Sequence, residues 1–209
     1  MNYSEETFMH ISEGILSAPV LVAGASLTAT AVGYGLKKMA YKQMPKVAIL
    51  SSVFFVASLI HVPIGPSSVH LILNGIIGLL LGWAAFPAIL VALAFQAILF
   101  QFGGLTTLGV NTFNMAFPAI ICFYLFNRGI KGKNNFFALT LAFICGFLSV
   151  LLSGIMVATA LVFTGELFMQ VAKLILIAHL PAMILEGVLT VFCVGFLRKV
   201  RPEILDLDA

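Results

Sequence analysis

Seven apolar stretches, separated by short polar segments, make up most of the chain. An α-helix that crosses a bilayer needs about 20 mostly apolar residues. The pattern therefore predicts an all-α, integral membrane bundle of about seven transmembrane helices. The helices are expected at about Ile15–Leu36, Val47–Leu59, Val69–Ala85, Pro87–Phe102, Phe113–Phe126, Phe136–Phe163, and from Leu167 to just before Arg198.

The composition agrees with a membrane protein. Of the 209 residues, 61% are hydrophobic and only 9% are charged, and the mean hydropathy is +1.13. Soluble domains carry about 25% charged residues. No stretch is polar enough for a separate soluble domain, and no glycine cluster matches a nucleotide-binding loop. We therefore expect one transmembrane domain over residues 1–209, with a polar extension at 1–8 and a cytoplasmic tail at 202–209.

The basic residues indicate an orientation. If the first helix begins outside the cell and the helices alternate, ten of the eleven Lys and Arg residues fall inside, and only Lys173 does not. Positively charged loops are usually cytoplasmic. The pattern predicts a multi-pass protein of the cell (inner, cytoplasmic) membrane with its N-terminus outside and its C-terminus cytoplasmic. The same count brings His10, the segment 61–70 and the Gly103–Thr112 connection to the outer side.

Three of the four histidines, His10, His61 and His70, fall in polar segments on that outer side. If Met9 is the first residue, its amine, the amide nitrogen of His10 and the His10 imidazole form two fused chelate rings. One imidazole from His61 or His70 would complete a plane of four nitrogens, which suits Ni(II) or Cu(II) and accepts Co(II). We favour His70; His61 is either a further ligand or a neighbour of the site. Residues 1–8 lack the pattern of a signal peptide and are either an extramembrane tail or sequence upstream of a true start at Met9.

Other polar residues near the outer helix ends could orient the ligand histidines through hydrogen bonds. The alternative is that these amides only link neighbouring helices. Glu13 is expected either to accept a hydrogen bond near the site or to be solvated. The amides are Gln96, Gln101, Asn111 and Asn114.

His179 and Glu186 lie two turns apart in the last predicted helix, on either side of Pro181. Ionisable groups inside a membrane are costly unless they are paired. We favour a pair that braces a proline-kinked helix; the alternative is a relay for protons or cations. The cysteines stand in apolar runs without paired spacing and are expected to be core residues: Cys122, Cys145 and Cys193.

Nothing in the sequence argues for an enzyme, since neither Gly-x-Ser-x-Gly nor His-Glu-x-x-His occurs. Besides a metal-binding transport subunit, two classes stay open. One is a metal-gated channel or ATP-independent carrier of metal cations, with His179 and Glu186 on its path. The other is a structural assembly subunit that binds no metal. We expect no permanent cofactor and no nucleic-acid partner.

Five motifs are spread over nearly the whole chain: Met9-His10-Ile11-x-Glu13-Gly14, the loop ending in His70-Leu71, Gly103-Gly104-Leu105-Thr106-x-Leu108-Gly109-x-Asn111-x-Phe113-Asn114-Met115-Ala116, His179-Leu180-Pro181, and Glu186-Gly187. The third is long and specific. Together they resemble the CbiM/NikM family.

The resemblance implies the substrate-binding (S) membrane component of an energy-coupling factor (ECF) transporter of the ABC type, for cobalt or nickel. It implies a Met-His N-terminus tucked into the bundle from outside, with Met9, His10 and His70 as ligands of the transported Co²⁺ or Ni²⁺. The implied partners are a T-type transmembrane coupling subunit, cytoplasmic ATPase subunits and often a small accessory membrane subunit. Cobalt would serve cobalamin synthesis, and nickel would serve nickel enzymes. Two features depart from the family pattern: eight residues precede Met9, and a histidine stands at position 61.

Overall fold

The computed structural model describes residues 11–64, 67–165, 169–170, 176–177 and 179–205, with the main chain alone at 61–64 and 67–70. These residues form an almost entirely helical bundle with one β-hairpin. The helices are α1 Ala18–Lys38, α2 Met44–Ser58, α3 Asn74–Leu81, α4 Ala85–Phe100, α5 Leu108–Ile130, α6 Asn135–Thr164 and α7 Leu180–Val200. The strands are β1 His61–Ile64 and β2 Ser67–His70, and short 3-10 helices lie at Tyr41–Gln43, Gly82–Ala84 and Pro202–Leu205.

Five helical segments among the described residues are long and apolar enough to cross a membrane. The all-helical, multi-pass architecture is therefore as predicted. α2 has only 15 residues, and the apolar stretch Asn74–Phe100 of 27 residues contains two helices, α3 and α4. The count of about seven crossings and the orientation of the termini stay predictions.

α3 is a half-length helix that begins inside the bundle and runs parallel to α5. The side-chain amide of Asn74 donates to the carbonyl of Met115 (3.3 Å), and one turn later Gly78 packs against Ala119. Met115 is the eighth residue of α5. At 1.5 Å per residue, α3 starts about 10 Å below the first residue of α5. We call the end of the bundle at which α5 begins the upper end, and the opposite end the lower end.

α4 reverses the direction of α3. It runs parallel to α2, because Ser51 Oγ donates to the carbonyl of Ala88 (2.7 Å) and Gln96 near the end of α4 donates to Ser58. α2 itself returns from α1 after a short connection, and α1 is parallel to α5. α3 and α4 therefore form a hairpin. Its turn lies at Gly82, whose φ of +52° falls in the left-handed region that favours glycine.

The core surrounds α3, where glycines bring helices into close contact. A Cβ on Gly78 would lie 2.2 Å from the carbonyl oxygen of Ala119, and one on Gly75 would lie 2.8 Å from Ser149 Oγ. Small residues at such positions let membrane helices approach each other closely. As predicted, the cysteines are core residues rather than a disulfide: Cys122 and Cys145 are buried, Cys193 is half-buried, and all three are free.

The lower end gathers the basic residues. All ten Lys and Arg residues in the described part of the chain lie in or beside the connections at this end. Arg198 of α7 donates to the carbonyls of Ile130 and Gly132, which joins α7 to the α5–α6 connection. Hydrogen bonds from its own main-chain N–H and from Arg201 lower the pKa of Glu203, which lies in the described part of the tail.

The segment before α3 differs from the prediction. A helix was expected from Val69 with His70 at its head, but Ser67–His70 forms a strand and α3 begins only at Asn74. The strand pairs antiparallel with His61–Ile64, and His61 and His70 are opposite partners in the register. The physical reason is the β-branched residues and prolines of this stretch, which favour extended backbone over helix.

Two other helix starts also differ. α5 begins at Leu108 rather than Phe113, so the second half of the expected Gly103–Thr112 connection is helical. The described part of α7 begins at Leu180, whereas the expected start near Leu167 lies outside the described residues. Pro181 stands in the first turn of α7, where proline fits without disturbing the helix. The residues before Leu180 are only partly described, so the expected proline kink stays a prediction.

Candidate metal centre

The main chain that follows His10 is held at the upper end of α5. The N–H of Ile11 donates to Asn111 Oδ1 (3.1 Å), and Asn111 Nδ2 donates to the carbonyl of Ile11 (3.1 Å). A third bond, from Asn111 Nδ2 to Thr107 Oγ1 (3.2 Å), fixes the amide itself. Asn111 was predicted as an amide near the site. Its place in the first turn of α5 brings it to the N-terminal segment across 100 residues of sequence.

Apolar contacts hold the same segment. Ile11 is only 4% exposed and clusters with Leu16, Val110, Val157 and Leu161. These residues come from the upper parts of α5 and α6 and from the stretch before α1. Residue 11 therefore lies inside the upper end of the bundle.

Glu13 forms a second attachment. Its Oε1 accepts hydrogen bonds from the main-chain N–H groups of Leu105 (2.8 Å) and Thr106 (3.2 Å). A Cβ on Gly104 would lie 2.0 Å from Glu13 Cγ, so the glycine leaves room for this side chain. Of the two expectations for Glu13, the structure shows the hydrogen-bonded one. The attachment joins the N-terminal segment to the connection between α4 and α5.

The main chain that follows His70 is held by Glu186 of α7. Glu186 Oε1 accepts from the N–H of Ile72 (2.5 Å) and of Leu73 (3.0 Å), and Oε2 also accepts from Leu73 (3.1 Å). Glu186 is 1% exposed. Its described partners are thus backbone groups at the entrance to α3. His179 is buried and lies directly before α7, and its pairing with Glu186 stays a prediction.

Asn74 is a polar core residue that the sequence reading did not single out. It is fully buried, and its Nδ2 donates to Ser153 Oγ (2.9 Å) and to the carbonyl of Met115. Within the described part of the chain, its Oδ1 has no hydrogen-bond partner. The only sequence signal was a single amide in an otherwise apolar run.

The three other predicted amides are not attached to these segments. Gln96 donates to Ser58 and so links α4 to α2, which matches the alternative of a contact between helices. Asn114 is buried beside a crevice of about 480 Å³ between α1, α5 and α6. Its Nδ2 has no hydrogen-bond partner among the described residues. Gln101 is exposed after the end of α4.

The structure describes the predicted ligands only in part. Met9 and His10 lie outside the described residues, and His61 and His70 are described by their main chain. The described residues contain no group of three or more His, Cys, Asp or Glu side chains placed to hold a metal ion. The structure shows how the two segments that carry the predicted ligands are anchored, the first by Asn111 and the second by Glu186.

Known proteins resemble this chain over nearly its full length. The family described as the cobalt uptake substrate-specific transmembrane region (CbiM) matches residues 10–204. A Haemophilus influenzae protein that carries the provisional name of metal transport protein is 40% identical and covers 95% of this chain and 97% of its own length. The cobalt transport protein CbiM of Kyrpidia tusciae is 32% identical and covers 94% and 86%.

Solved structures agree with the sequence match. The crystal structure of a transition metal transporter has a TM-score of 0.77 and 28% sequence identity, and it covers 95% of this chain and 96% of that chain. A truncated transition metal transporter gives a TM-score of 0.73 with 28% identity and covers 91% of this chain and 98% of that chain. The chain therefore belongs to the CbiM family, the substrate-specific transmembrane region of cobalt uptake.

Proposed function

We propose that the chain is the substrate-specific metal-binding subunit of a cobalt or nickel importer, and that it binds the ion at the upper end of the bundle. The observation that carries this proposal is the Asn111 contact. A side-chain amide grips both the N–H and the carbonyl of Ile11 in a buried position, directly beside His10. An N-terminal segment fixed so far inside the bundle is suited to present ligands rather than to trail in solvent.

The proposed ligands are the Met9 amine, the His10 amide nitrogen and imidazole, and the His70 imidazole. Four nitrogens in a plane suit Ni(II) and accept Co(II). The register of the hairpin supports a contribution from His61, because it stands directly opposite His70. The ion is cargo, so the site has to hold it tightly enough for capture and then release it.

The proposed orientation puts the upper end outside the cell and the lower end, with the C-terminus, in the cytoplasm. The support is the distribution of charge, because the ten described basic residues gather at the lower end and basic loops favour the cytoplasm. If α2, the descent through α3 and the return through α4 are counted as three passes, the other four helices bring the total to the proposed seven. The membrane is then the cell (inner) membrane.

The chain is proposed to work in an ECF assembly of the ABC type. In that assembly a T-type coupling subunit and cytoplasmic ATPase subunits supply the energy, with a small accessory membrane subunit as a further partner. In the proposed assembly the ATPase subunits hydrolyse ATP, and this chain binds the metal ion. Imported cobalt would be used for cobalamin synthesis, and imported nickel would be used in nickel enzymes.

The test is Ni(II) and Co(II) binding to two purified forms, one beginning at Met1 and one at Met9. We expect a one-to-one complex only in the Met9 form, with the absorption spectrum of a planar nickel site. A Met9 form carrying His10→Ala is the matched control and should lose that spectrum. Equal binding by both forms would contradict the amine ligand and leave a cluster of histidines. Binding by neither would contradict the proposed function and favour a structural subunit.

Uptake separates the importer from an ATP-independent carrier. Radioactive cobalt accumulation is measured in cells that make this chain alone and in cells that also make the coupling and ATPase subunits. We expect strong accumulation only with the partners. Equal accumulation by the chain alone would favour a carrier with His179 and Glu186 on its path.

A further inference from the structure

Glu186 connects α7 to the segment that carries His70. Its carboxylate accepts hydrogen bonds from the N–H groups of Ile72 and Leu73, which are about 114 residues away in sequence. These two residues follow His70 by two and three positions. Only Leu71 separates the held residue Ile72 from the proposed ligand His70. A rigid hold at residues 72 and 73 therefore limits where residue 70 can stand.

Glu186 binds the backbone where its conformation is unfavourable. Leu73 has a φ of +54°, in the left-handed region that is unfavourable for a leucine. It is also the N-cap residue of α3, where N–H groups have no partner within the helix. A carboxylate at this end satisfies the free N–H groups and interacts favourably with the positive end of the helix dipole. The entrance to α3 is thus built around Glu186.

The backbone of Glu186 in α7 is also held in place. A Cβ on Gly146 of α6 would lie 2.5 Å from the carbonyl oxygen of Glu186, so α6 and α7 touch at this level through a glycine. Thr190 Oγ1 donates to the same carbonyl (2.7 Å). Glu186 therefore reaches the His70 segment from a backbone that is itself firmly placed.

We propose that Glu186 is a positioning residue of the metal site: by holding the main chain at Ile72 and Leu73, it sets the place of His70. It does not touch the metal, and its effect passes through the His70 imidazole. This inference rests on the proposed function. It assigns α7 the control of one ligand, while α5 controls the N-terminal ligands through Asn111.

The experiment is a double-mutant cycle on the full chain beginning at Met9, with Ni(II) as the probe. Glu186→Leu removes the acceptor and is expected to weaken Ni(II) binding about 10–100-fold, the usual effect of losing a residue that orients a ligand. Its absorption spectrum should shift toward that of His70→Ala. Because the effect acts through His70, Glu186→Leu combined with His70→Ala should bind no more weakly than His70→Ala alone.

Three further variants keep the test informative if the leucine variant does not fold. Glu186→Gln keeps an oxygen that can accept both N–H groups, and should recover most of the lost affinity. Glu186→Asp keeps the carboxyl group but withdraws it by one methylene, and should lie between wild type and Glu186→Leu. Ser51→Ala is the matched control, because it removes a buried hydrogen bond between α2 and α4 that contacts neither Glu186 nor the His70 segment. It should keep the wild-type spectrum.

The outcomes separate the inference from the proposed function. Wild-type affinity in both the leucine and aspartate variants would overturn the inference alone. Additive losses in the cycle would do the same, because a merely structural residue weakens binding whether or not His70 is present. No Ni(II) binding by the wild-type Met9 form would overturn the proposed function, and the inference would fall with it.

Discussion

An asparagine is well suited to hold a single residue of main chain. Its amide offers one donor group and one acceptor, and Asn111 uses both on Ile11. Buried backbone groups need such partners, since leaving one without a hydrogen bond costs about 1–3 kcal/mol. Ile11 is not itself part of a strand or helix whose hydrogen bonds could supply them, so the side chain from α5 takes that place.

Replacing Asn111 should therefore weaken metal binding from a distance. Asn111→Ala in the Met9 form is expected to lower Ni(II) affinity about 10–100-fold, because the segment that carries His10 loses its anchor. Asn111→Asp should also weaken binding, since a carboxylate would face the carbonyl of Ile11. The measurement is a Ni(II) titration.

Asn127→Ala is the matched control for this prediction, because it removes the same side chain from the opposite end of α5. It should bind Ni(II) as the wild type does. Wild-type affinity in Asn111→Ala would show that the bonds to Ile11 do not position the ligand.

For single residues, the sequence indicated which polar side chains are important, but it did not indicate their hydrogen-bond partners. Asn111, Glu13 and Glu186 stood out as polar groups beside or inside apolar stretches. Their partners are backbone atoms about 90–114 residues away, and main-chain atoms leave no mark in a residue pattern. Asn74 was missed for the related reason that one amide in an apolar run resembles ordinary contact between helices.

Among the elements, α3 departs most from the hydropathy pattern. Hydropathy predicts how many residues can lie in lipid, but it does not show where a chain turns back inside a bundle. The reversal at Gly82 and the late start at Asn74 depend on backbone angles and on long-range contacts. The other long helices, α1, α5 and α6, were predictable because each is framed by polar connections.

The close contact between α3 and α5 gives a prediction about stability. Gly78→Ala would put a Cβ 2.2 Å from the carbonyl oxygen of Ala119. Because that atom is backbone, the helices would have to separate, and the free energy of unfolding should fall by about 1–3 kcal/mol. The measurement is the midpoint of unfolding by SDS in mixed micelles.

Gly33→Ala is the control for the α3–α5 contact, since a Cβ there meets nothing within 4 Å. Alanine is the better helix former by about 1 kcal/mol, so this variant should be as stable as the wild type or slightly more stable. Equal destabilisation by both substitutions would contradict the packing explanation.

For the molecule as a whole, the uneven charge of its two ends predicts which end faces the cytoplasm. Cysteines introduced at Thr106, at the upper end, and at Lys133, at the lower end, replace exposed residues. In intact cells a membrane-impermeant maleimide should label Thr106→Cys and not Lys133→Cys. Opened membranes should allow both to react.

The unmodified chain is the baseline for this labelling, since its three cysteines are buried or half-buried. Labelling of Lys133→Cys alone in intact cells would reverse the proposed orientation. Labelling of both would show that at least one of the two connections does not lie where the charge pattern predicts.

Asn111 and Glu186 form hydrogen bonds with main-chain atoms. In the proposed site, different residues therefore anchor the two segments and coordinate the metal ion. The residues proposed to touch the ion are different from those that fix the segments in place. Selection could then change the preferred metal at one or two coordinating positions without rebuilding the bundle. A single fold whose relatives include both cobalt and nickel transport proteins is the natural result of such a division of labour.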